Sequence, residues 1–360
     1  MNASLSNCEH HEPSHYSSGE MVSSFVIFGI GIIGCFLSVL ALGREFIRGN
    51  SSTLVIVAGL AWVDFAGVLS TGTLIIHGFV TGKGWIVRSP QCQIQAFCST
   101  ACGLSSGSIV TFMAFDRALS LHKPFFYKTF ASPKLSRGVC IATVCLCFVV
   151  AAFPYLGIGR YTVTHSGGYF CQFDWYSRKV MDKAFIFICG AYAAAIISWM
   201  LVSNLLVLFL SWRLKQQACR IVPASMGIAE RRQCSIAKKE EQMAKFVGTI
   251  SLLFLCTWLP VTVRFFCHLY SALPSHTADL VSMKLAILGF VLNPFIYVLF
   301  RAIFKRTIKT KFSWIRTSWN HGLSIRDRRM THAQSIGPST MLETGLSARP
   351  ISSMGLVSVA

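Results

Sequence analysis

The chain has 360 residues, of which 53% are hydrophobic and 13% charged, and its mean hydropathy is +0.55. This composition is too apolar for a soluble protein of that length, and a single membrane anchor would not account for it. The formal net charge of +19 is compatible with nucleic-acid binding, but the sequence contains no basic module of that kind. We therefore expect a membrane protein with several spans and no nucleic-acid partner.

Seven apolar runs are long enough to cross about 30 Å of hydrocarbon, which takes about 20 helical residues. In chain order they are Met21–Leu42, Leu54–Val80, Cys92–Phe115, Gly138–Leu156, Lys183–Trp212, Met243–Tyr270 and Leu280–Phe300. The sequence therefore predicts an all-α membrane protein, a bundle of seven transmembrane helices.

Lysine and arginine predict the orientation of the bundle, because cytoplasmic loops carry them in excess. Most of the 33 follow the first, third, fifth or seventh span, which places the N-terminus outside. The predicted organisation is an extracellular tail over 1–20, the bundle over 21–300, a short amphipathic helix on the inner leaflet over 301–313, and a disordered cytoplasmic tail over 314–360. Asn2 begins a glycosylation sequon in the extracellular tail.

Most of the 14 cysteines fall within apolar runs, where a thiol behaves as a small hydrophobic group. Cys8, Cys92 and Cys171 lie on the outer, oxidising side. We expect a disulfide between Cys92, where the third span begins, and Cys171, in the loop after the fourth; Cys8 is left over. No cysteine pair has the spacing of a zinc or redox site.

Three charged residues lie inside spans, Asp64, Arg264 and Lys284, and an ionisable residue deep in a span is a functional-site hypothesis. Asp64 is the one acidic residue deep in the second span, where a charged carboxylate costs at least about 2.5–3.5 kcal/mol. It must be protonated, paired or bound to a cation, and a neutral carboxyl satisfied by its neighbours is the simplest alternative. Lys284 lies in the seventh span, nearly three turns before Pro294.

Two prolines interrupt spans and free backbone carbonyls that other groups must satisfy. Pro260 in the sixth span follows Trp258, and Pro294 in the seventh follows Asn293 and precedes Tyr297 on the same helical face. Kinked helices of this kind can change their bend.

The cytoplasmic and extracellular loops add two further features. Asp116 and Arg117 end the third predicted span and are followed by an aromatic loop over His122–Pro133. On the outer side, the aromatic stretch Tyr169–Trp175 contains Cys171, so a disulfide would hold it over the bundle as a lid.

Four motifs occur in the order typical of one receptor family. They are Leu60-Ala61-x-x-Asp64, Cys92 ahead of Arg117, Trp258-x-Pro260 and Asn293-Pro294-x-x-Tyr297. The chain resembles the rhodopsin-like G-protein-coupled receptors over nearly its whole membrane portion. This resemblance implies a plasma-membrane receptor with a heterotrimeric G protein as partner, and with receptor kinase and arrestin as partners of the cytoplasmic tail.

The resemblance also implies roles for individual residues. Arg117, beside Asp116, would contact the G protein once it is released from Glu240. An allosteric sodium ion, the one cofactor implied, would bind at Asp64. The residues implied for the sodium site and for activation are Asp64, Ser106, Trp258, Asn293 and Tyr297.

Within that class the chain is similar to the prostanoid receptors, nearest the prostaglandin E type. The similarity rests on Phe173-Asp174-Trp175 after Cys171, on DRALSLHKPFFY after the third span, on Val263-Arg264 after Pro260, on a fifth span without proline, and on the position of Lys284. It implies a carboxylated lipid ligand, with Lys284 as a buried counter-ion between the first, second, third and seventh spans. The implied ligand-binding residues are Lys284, His77, Tyr169, Phe170, Trp175 and Arg264.

Several residues depart from the prostanoid pattern. Lys284 keeps the charge of the family's arginine but lacks its bidentate fork. Tyr169 and Phe170 stand where that family has Thr-Trp, and His77 stands where it has a tyrosine. These differences concern the ligand rather than the receptor class.

Alternatives remain at this point. Lys284 could extend outward, or pair with Asp279 or Asp182. The receptor could bind a different lipid or small ligand, or the chain could be a transporter, although a transporter would show inverted repeats. An enzyme is not expected, because the sequence has no HExxH, GxSxG or P-loop motif.

Overall fold

A computed structural model describes residues 18–49, 51–81, 89–163, 170–220, 228–270 and 275–299. Within these ranges the chain forms eight α-helices and a pair of antiparallel strands. The helices are α1 (Ser18–Arg48), α2 (Ser52–Thr81), α3 (Pro90–His122), α4 (Pro124–Phe130), α5 (Pro133–Ala151), α6 (Val180–Arg220), α7 (Ile228–Leu269) and α8 (His276–Leu299). The strands are β1 (Tyr161–Val163) and β2 (Cys171–Phe173).

Seven of these helices, all except the short α4, are long and apolar enough to cross a membrane. The predicted seven-helix bundle is therefore confirmed, and α8 is the seventh span. The amphipathic helix and tail predicted over 301–360 lie outside the described residues, as does the N-terminal tail.

The bounds of several helices differ from the prediction. α7 begins at Ile228 rather than Met243, and α6 ends at Arg220 rather than Trp212. α3 continues to His122, so Asp116 and Arg117 lie inside it rather than at its end. It stops before Pro124, whose ring disfavours a helical conformation in the preceding residue. α5 begins at Pro133 behind the N-cap Ser132, whose hydroxyl accepts a bond from the amide of Leu135 at 3.1 Å, and it ends at Ala151.

The third span lies at the centre of the bundle, packed against α2, α5, α6 and α7. In the most apolar 18-residue stretch of α3, 78% of the residues are buried, compared with 33% in that of α1 at the edge of the bundle. α1 packs on α2 and α8, and α7 packs on both α6 and α8. Side chains that converge on α3 can therefore connect the outer and inner ends of the molecule.

The loop after α5 forms a hairpin that the sequence did not predict. β1 and β2 pair with Tyr161 opposite Phe173 and Val163 opposite Cys171. The disulfide between Cys171 and Cys92 joins this hairpin to the start of α3, as predicted. The hairpin is thereby held against the outer end of the bundle.

The aromatic loop between α3 and α5 is helical. Its helix α4 leaves Phe125, Phe126 and Phe130 exposed, and the rings of Phe126 and Phe130 stack with centroids 4.4 Å apart. The loop connects spans three and four, so this aromatic surface lies on the cytoplasmic side.

Candidate ligand site and activation network

A buried ion pair joins the outer ends of α7 and α8. The Nε atom of Arg264 donates to Oδ1 of Asp279 at 2.6 Å, and Nε2 of His268 lies 2.8 Å from the same oxygen. The hydroxyl of Tyr176, from the outer loop, donates to Oδ2 of Asp279 at 2.7 Å. Asp279 is 2% exposed and Arg264 8% exposed, so the ion pair is largely shielded from solvent. We call these four residues the outer cluster.

The loop after β2 closes over the outer cluster. Trp175 is buried, with its ring centroid 5.0 Å from that of Phe265 and 4.9 Å from that of His268. Burial, and then the hydrogen bond to Asp279, raise the pKa of Tyr176 to about 12, so its phenol stays protonated. The predicted lid is thus present on the α7 side, although Tyr169 lies outside the described residues.

A second part of the lid covers the opposite side of the bundle. Phe170 packs against an apolar cluster formed by α1, α2, α3 and α8. This cluster contains Phe28, Cys35, Val68, Ile75, Cys102, Phe290 and Val291. It occupies the region between the four spans where the sequence predicted the ligand.

The prediction of a buried ammonium at Lys284 is wrong, because its side chain is exposed. Lys284 is two residues from both Ser282 and Ala286, which are buried, and two residues are about 200° of helical rotation. It lies two turns before Val291, whose side chain would be 2.8 Å from a Cβ atom at Gly31 of α1. Lys284 therefore lies on the α1 side of α8, in the outer half of the span.

His77 is also exposed, contrary to its predicted place in the ligand site. It lies two residues after Ile75, which is buried in the apolar cluster, so it faces another side of α2. Phe79 packs against the cluster instead. The other predicted cation, Arg264, is in the bundle but is paired with Asp279.

Three of the residues implied for the sodium site meet in the middle of the bundle. Ser106 donates to Oδ1 of Asp64 at 2.9 Å, and the amide nitrogen of Asn293 donates to Oδ2 at 2.7 Å. Asp64 is 1% exposed, and both of these donors are neutral. The hydroxyl of Tyr297 is buried without a hydrogen-bond partner among the described residues.

The indole of Trp258 lies one turn above this group. It stacks on Phe254, with ring centroids 5.3 Å apart, and both rings fit against glycines of α3. A Cβ atom at Gly103 would lie 2.5 Å from Trp258, and one at Gly107 would lie 2.4 Å from Phe254. The two glycines therefore permit the close approach of α7 to α3.

Arg117 is held at the inner end by groups of α2, α3 and α4. Its Nη2 donates to Asp116 at 2.7 Å and to the hydroxyl of Tyr127 at 3.1 Å, and it also bonds to Thr53. Tyr127 in turn donates to Asp116 at 3.0 Å, and Ser52 donates to the same carboxylate at 3.3 Å. We call these residues the inner cluster; burial raises the pKa of Tyr127, which stays a donor.

Two predicted residues cannot be placed relative to these clusters. The side chain of Glu240, the predicted partner of Arg117, and Asn2 both lie outside the described residues. Sequence reasoning missed His268, Tyr176, Tyr127 and Thr53. The sequence analysis named Asp279 as a possible partner for Lys284. In the structure Asp279 forms its ion pair with Arg264.

Comparison with known proteins identifies the family. The family description "7 transmembrane receptor (rhodopsin family)" matches residues 7–297. The chain belongs to the rhodopsin family of seven-transmembrane receptors. This receptor is a multi-pass protein of the plasma membrane and not an enzyme, and family membership rules out the transporter alternative.

Two receptors and one solved structure illustrate the similarity. The thromboxane A2 receptor of Rattus norvegicus is 28% identical over 309 residues, which cover 81% of this chain and 85% of that receptor. The prostaglandin E2 receptor EP4 subtype of Rattus norvegicus is 25% identical over 77% of this chain, which spans 64% of that receptor's length. The crystal structure of squid rhodopsin has a TM-score of 0.70 at 21% identity and covers 88% of this chain and 93% of its own. The receptor is thus related to prostanoid receptors in sequence and to rhodopsin in fold.

Proposed function

We propose that this receptor binds a carboxylated lipid mediator of the prostanoid type and signals through a heterotrimeric G protein to cAMP, calcium or both. Prostaglandin E2 is the first ligand to test. The observation that carries the proposal is Lys284, a cation in the outer half of an apolar span beside the apolar cluster. Similarity to receptors for thromboxane A2 and prostaglandin E2 supports an acidic lipid.

The position of Lys284 favours entry of the ligand from the bilayer. On the α1 side of α8, its ammonium is accessible to a lipid that approaches between these two helices. A ligand carboxylate would attract this ammonium strongly, because the Coulomb energy of an ion pair is larger in a low-dielectric environment than in water. Charge-assisted hydrogen bonds are also about twice as strong as neutral ones.

The hydrocarbon part of the ligand would lie along the edge of the apolar cluster. Ile287 and Leu288 lie about one turn after Lys284, and, like Ile32 of α1 and Phe79 of α2, they are only partly buried there. A ligand that arrives from the bilayer has already left water, so the packing of its acyl chain against these side chains would contribute the affinity. The ammonium would select for an acidic head group.

A sodium ion at Asp64 is a second part of the proposal. Within the described residues the carboxylate has only the neutral donors Ser106 and Asn293 and no ion pair. Hard cations prefer oxygen ligands, which the carboxylate and the Ser106 hydroxyl supply. A bound sodium ion would neutralise the buried charge. A protonated carboxyl, the alternative, predicts that sodium leaves agonist affinity unchanged.

We assign G-protein coupling to Asp116, Arg117 and Glu240. Ligand binding would favour a state in which α7 moves about Pro260 and Arg117 becomes accessible, a shift between populations that the ligand drives by its differential affinity. The cytoplasmic residues 301–360 are proposed to bind receptor kinase and arrestin, and Asn2 is proposed to be glycosylated.

The test is a panel of prostanoids applied to transfected cells, with cAMP and calcium as readouts. At matched surface expression, Lys284→Ala should raise the half-maximal concentration of the active prostanoid by about 10- to 100-fold, the effect of losing a hydrogen bond to a charged group. Lys284→Arg should retain most of the response because it keeps the charge.

Two control variants separate this effect from a general loss of fold. Lys183→Ala removes a half-buried lysine at the outer end of α6, and His77→Ala removes the exposed histidine of α2; neither should change potency. Unchanged potency in Lys284→Ala would remove the counter-ion from the proposal. If the wild-type receptor responds to another lipid but to no prostanoid, its ligand belongs to a different lipid class.

A further inference from the structure

The outer cluster contains a histidine whose hydrogen bonds identify its free proton-binding atom. Nε2 of His268 lies 2.8 Å from Oδ1 of Asp279 and 3.3 Å from Nη2 of Arg264. A lone pair on Nε2 would face the carboxylate oxygen at hydrogen-bond distance, which is repulsive. Nε2 therefore carries the hydrogen and donates to Asp279, and Nδ1 is the atom that can accept a further proton.

Protonation of Nδ1 would change the charge balance of the outer cluster. With a neutral imidazole, the cluster has one carboxylate and one guanidinium. With an imidazolium it has two cations, His268 and Arg264, whose nitrogen atoms are 3.3 Å apart and which share the carboxylate of Asp279. Like charges at this distance repel, so the two cations compete for one anion.

The groups around the His268 ring have opposite effects on a positive charge at the ring. Asp279 on α8 and the face of Trp175, whose ring is tilted with its centroid 4.9 Å away, both favour a cation; Arg264 on α7 disfavours one. Tyr176 presents an edge at 5.0 Å and stays protonated. The ring of His276, at the start of α8, is tilted against that of Tyr176, with centroids 4.3 Å apart. His268 is thus the histidine that contacts the ion pair directly.

The outer cluster lies on the side of the membrane that meets extracellular acid. His268 is in the last turn of α7, and Tyr176 belongs to the loop that the Cys92–Cys171 disulfide holds on the outer side. Histidine is the side chain whose charge ordinarily changes between about pH 5 and 8.

We propose that His268 is an extracellular proton-binding site and that protonation shifts the main partner of Asp279 from Arg264 to His268, one turn further along α7. The outer end of α7 then moves relative to α8. Because α7 also contains Pro260 and Trp258, this movement changes the balance between receptor states. External acid is thus a second input, independent of the lipid.

The experiment uses pH as the only stimulus. The unfolding temperature of the purified full-length receptor and its basal cAMP and calcium signals in cells are measured between about pH 5.5 and 8. In the wild type we expect the unfolding temperature to shift and the basal signal to change by about fivefold, a typical allosteric coupling. Neither measurement needs a lipid, so failure of the proposed lipid function leaves this test intact.

Matched variants assign the response to one residue. His268→Gln and His268→Asn do not titrate and should lose the pH response. His276→Gln, on the other side of Tyr176, should keep it. A wild-type receptor that is flat across this pH range overturns the proposal whatever the variants do. A pH response that survives in both His268 variants, or that disappears only in His276→Gln, overturns it equally.

Discussion

The two ends of the bundle carry the same three groups in different arrangements: an arginine, an aspartate and a tyrosine from a loop. At the outer end the Arg264–Asp279 pair connects two helices that are separated by a loop, and Tyr176 binds the second carboxylate oxygen. Its parts come from α7, α8 and the extracellular loop. The outer cluster therefore links two helices and the extracellular loop to one another.

At the inner end the arginine and aspartate are neighbours in one helix. Arg117 and Asp116 both belong to α3, and Tyr127 of α4 and Thr53 of α2 bind them from outside. Among the residues whose side chains the structure describes, these bonds link α3 to α2 and α4. They hold the arginine in one position, so breaking them should alter signalling more than stability, whereas breaking the outer pair should do the reverse.

The largest effect is expected for Asp279→Asn, which leaves the guanidinium of Arg264 buried without its carboxylate. Breaking one side of a buried pair costs about 3–5 kcal/mol. The unfolding temperature of the purified receptor and its surface expression should both fall. Asp182→Asn is the matched control, because Asp182 is also buried at the outer end but binds the hydroxyl of Ser177. Equal losses in both variants would contradict a special role for the outer pair.

The next effect is expected for Asp116→Asn. It removes the charge that holds Arg117, and hydrogen bonds to charged groups are worth about 1.5–3 kcal/mol. Basal cAMP or calcium signalling per receptor at the cell surface should rise several-fold. The unfolding temperature should fall less than in Asp279→Asn, because Arg117 keeps its bonds to Thr53 and Tyr127. If basal signalling in this variant is unchanged, the inner cluster does not restrain signalling, and the proposed difference between the two ends is wrong.

The two tyrosines give a smaller and more direct comparison. Tyr127→Phe and Tyr176→Phe each delete one hydroxyl donor to an aspartate, worth about 0.5–1.5 kcal/mol. Tyr127→Phe should raise basal signalling, and Tyr176→Phe should lower the unfolding temperature. The comparison fails if the two variants have the same effect on both measurements.

The smallest effect is expected for Glu240→Ala, which tests the proposed restraint on Arg117. A modest rise in basal signalling is expected. Glu241→Ala is the control, because Glu241 forms an exposed pair with Lys245 at 2.9 Å, and such pairs contribute little. If both variants signal like the wild type, the inner cluster alone restrains Arg117.

The sequence by itself determined the seven spans, their orientation, the Cys92–Cys171 disulfide and the order of the receptor motifs. These features are local or additive, since the length of an apolar run and the charge of its flanks do not depend on what the helix packs against. It also brought Asp64, Ser106 and Asn293 to one site through the family resemblance, and the structure places them in contact.

Only the tertiary structure decided which way each helix is turned and which charges meet. Lys284 was assigned inward from its depth in the span and His77 from the family resemblance, yet each lies two residues from a buried position and so on another side of its helix. Arg264 and Asp279 were both visible in the sequence. Their pairing depends on the rotation of α7 and α8 about their axes, which the packing of the whole bundle sets.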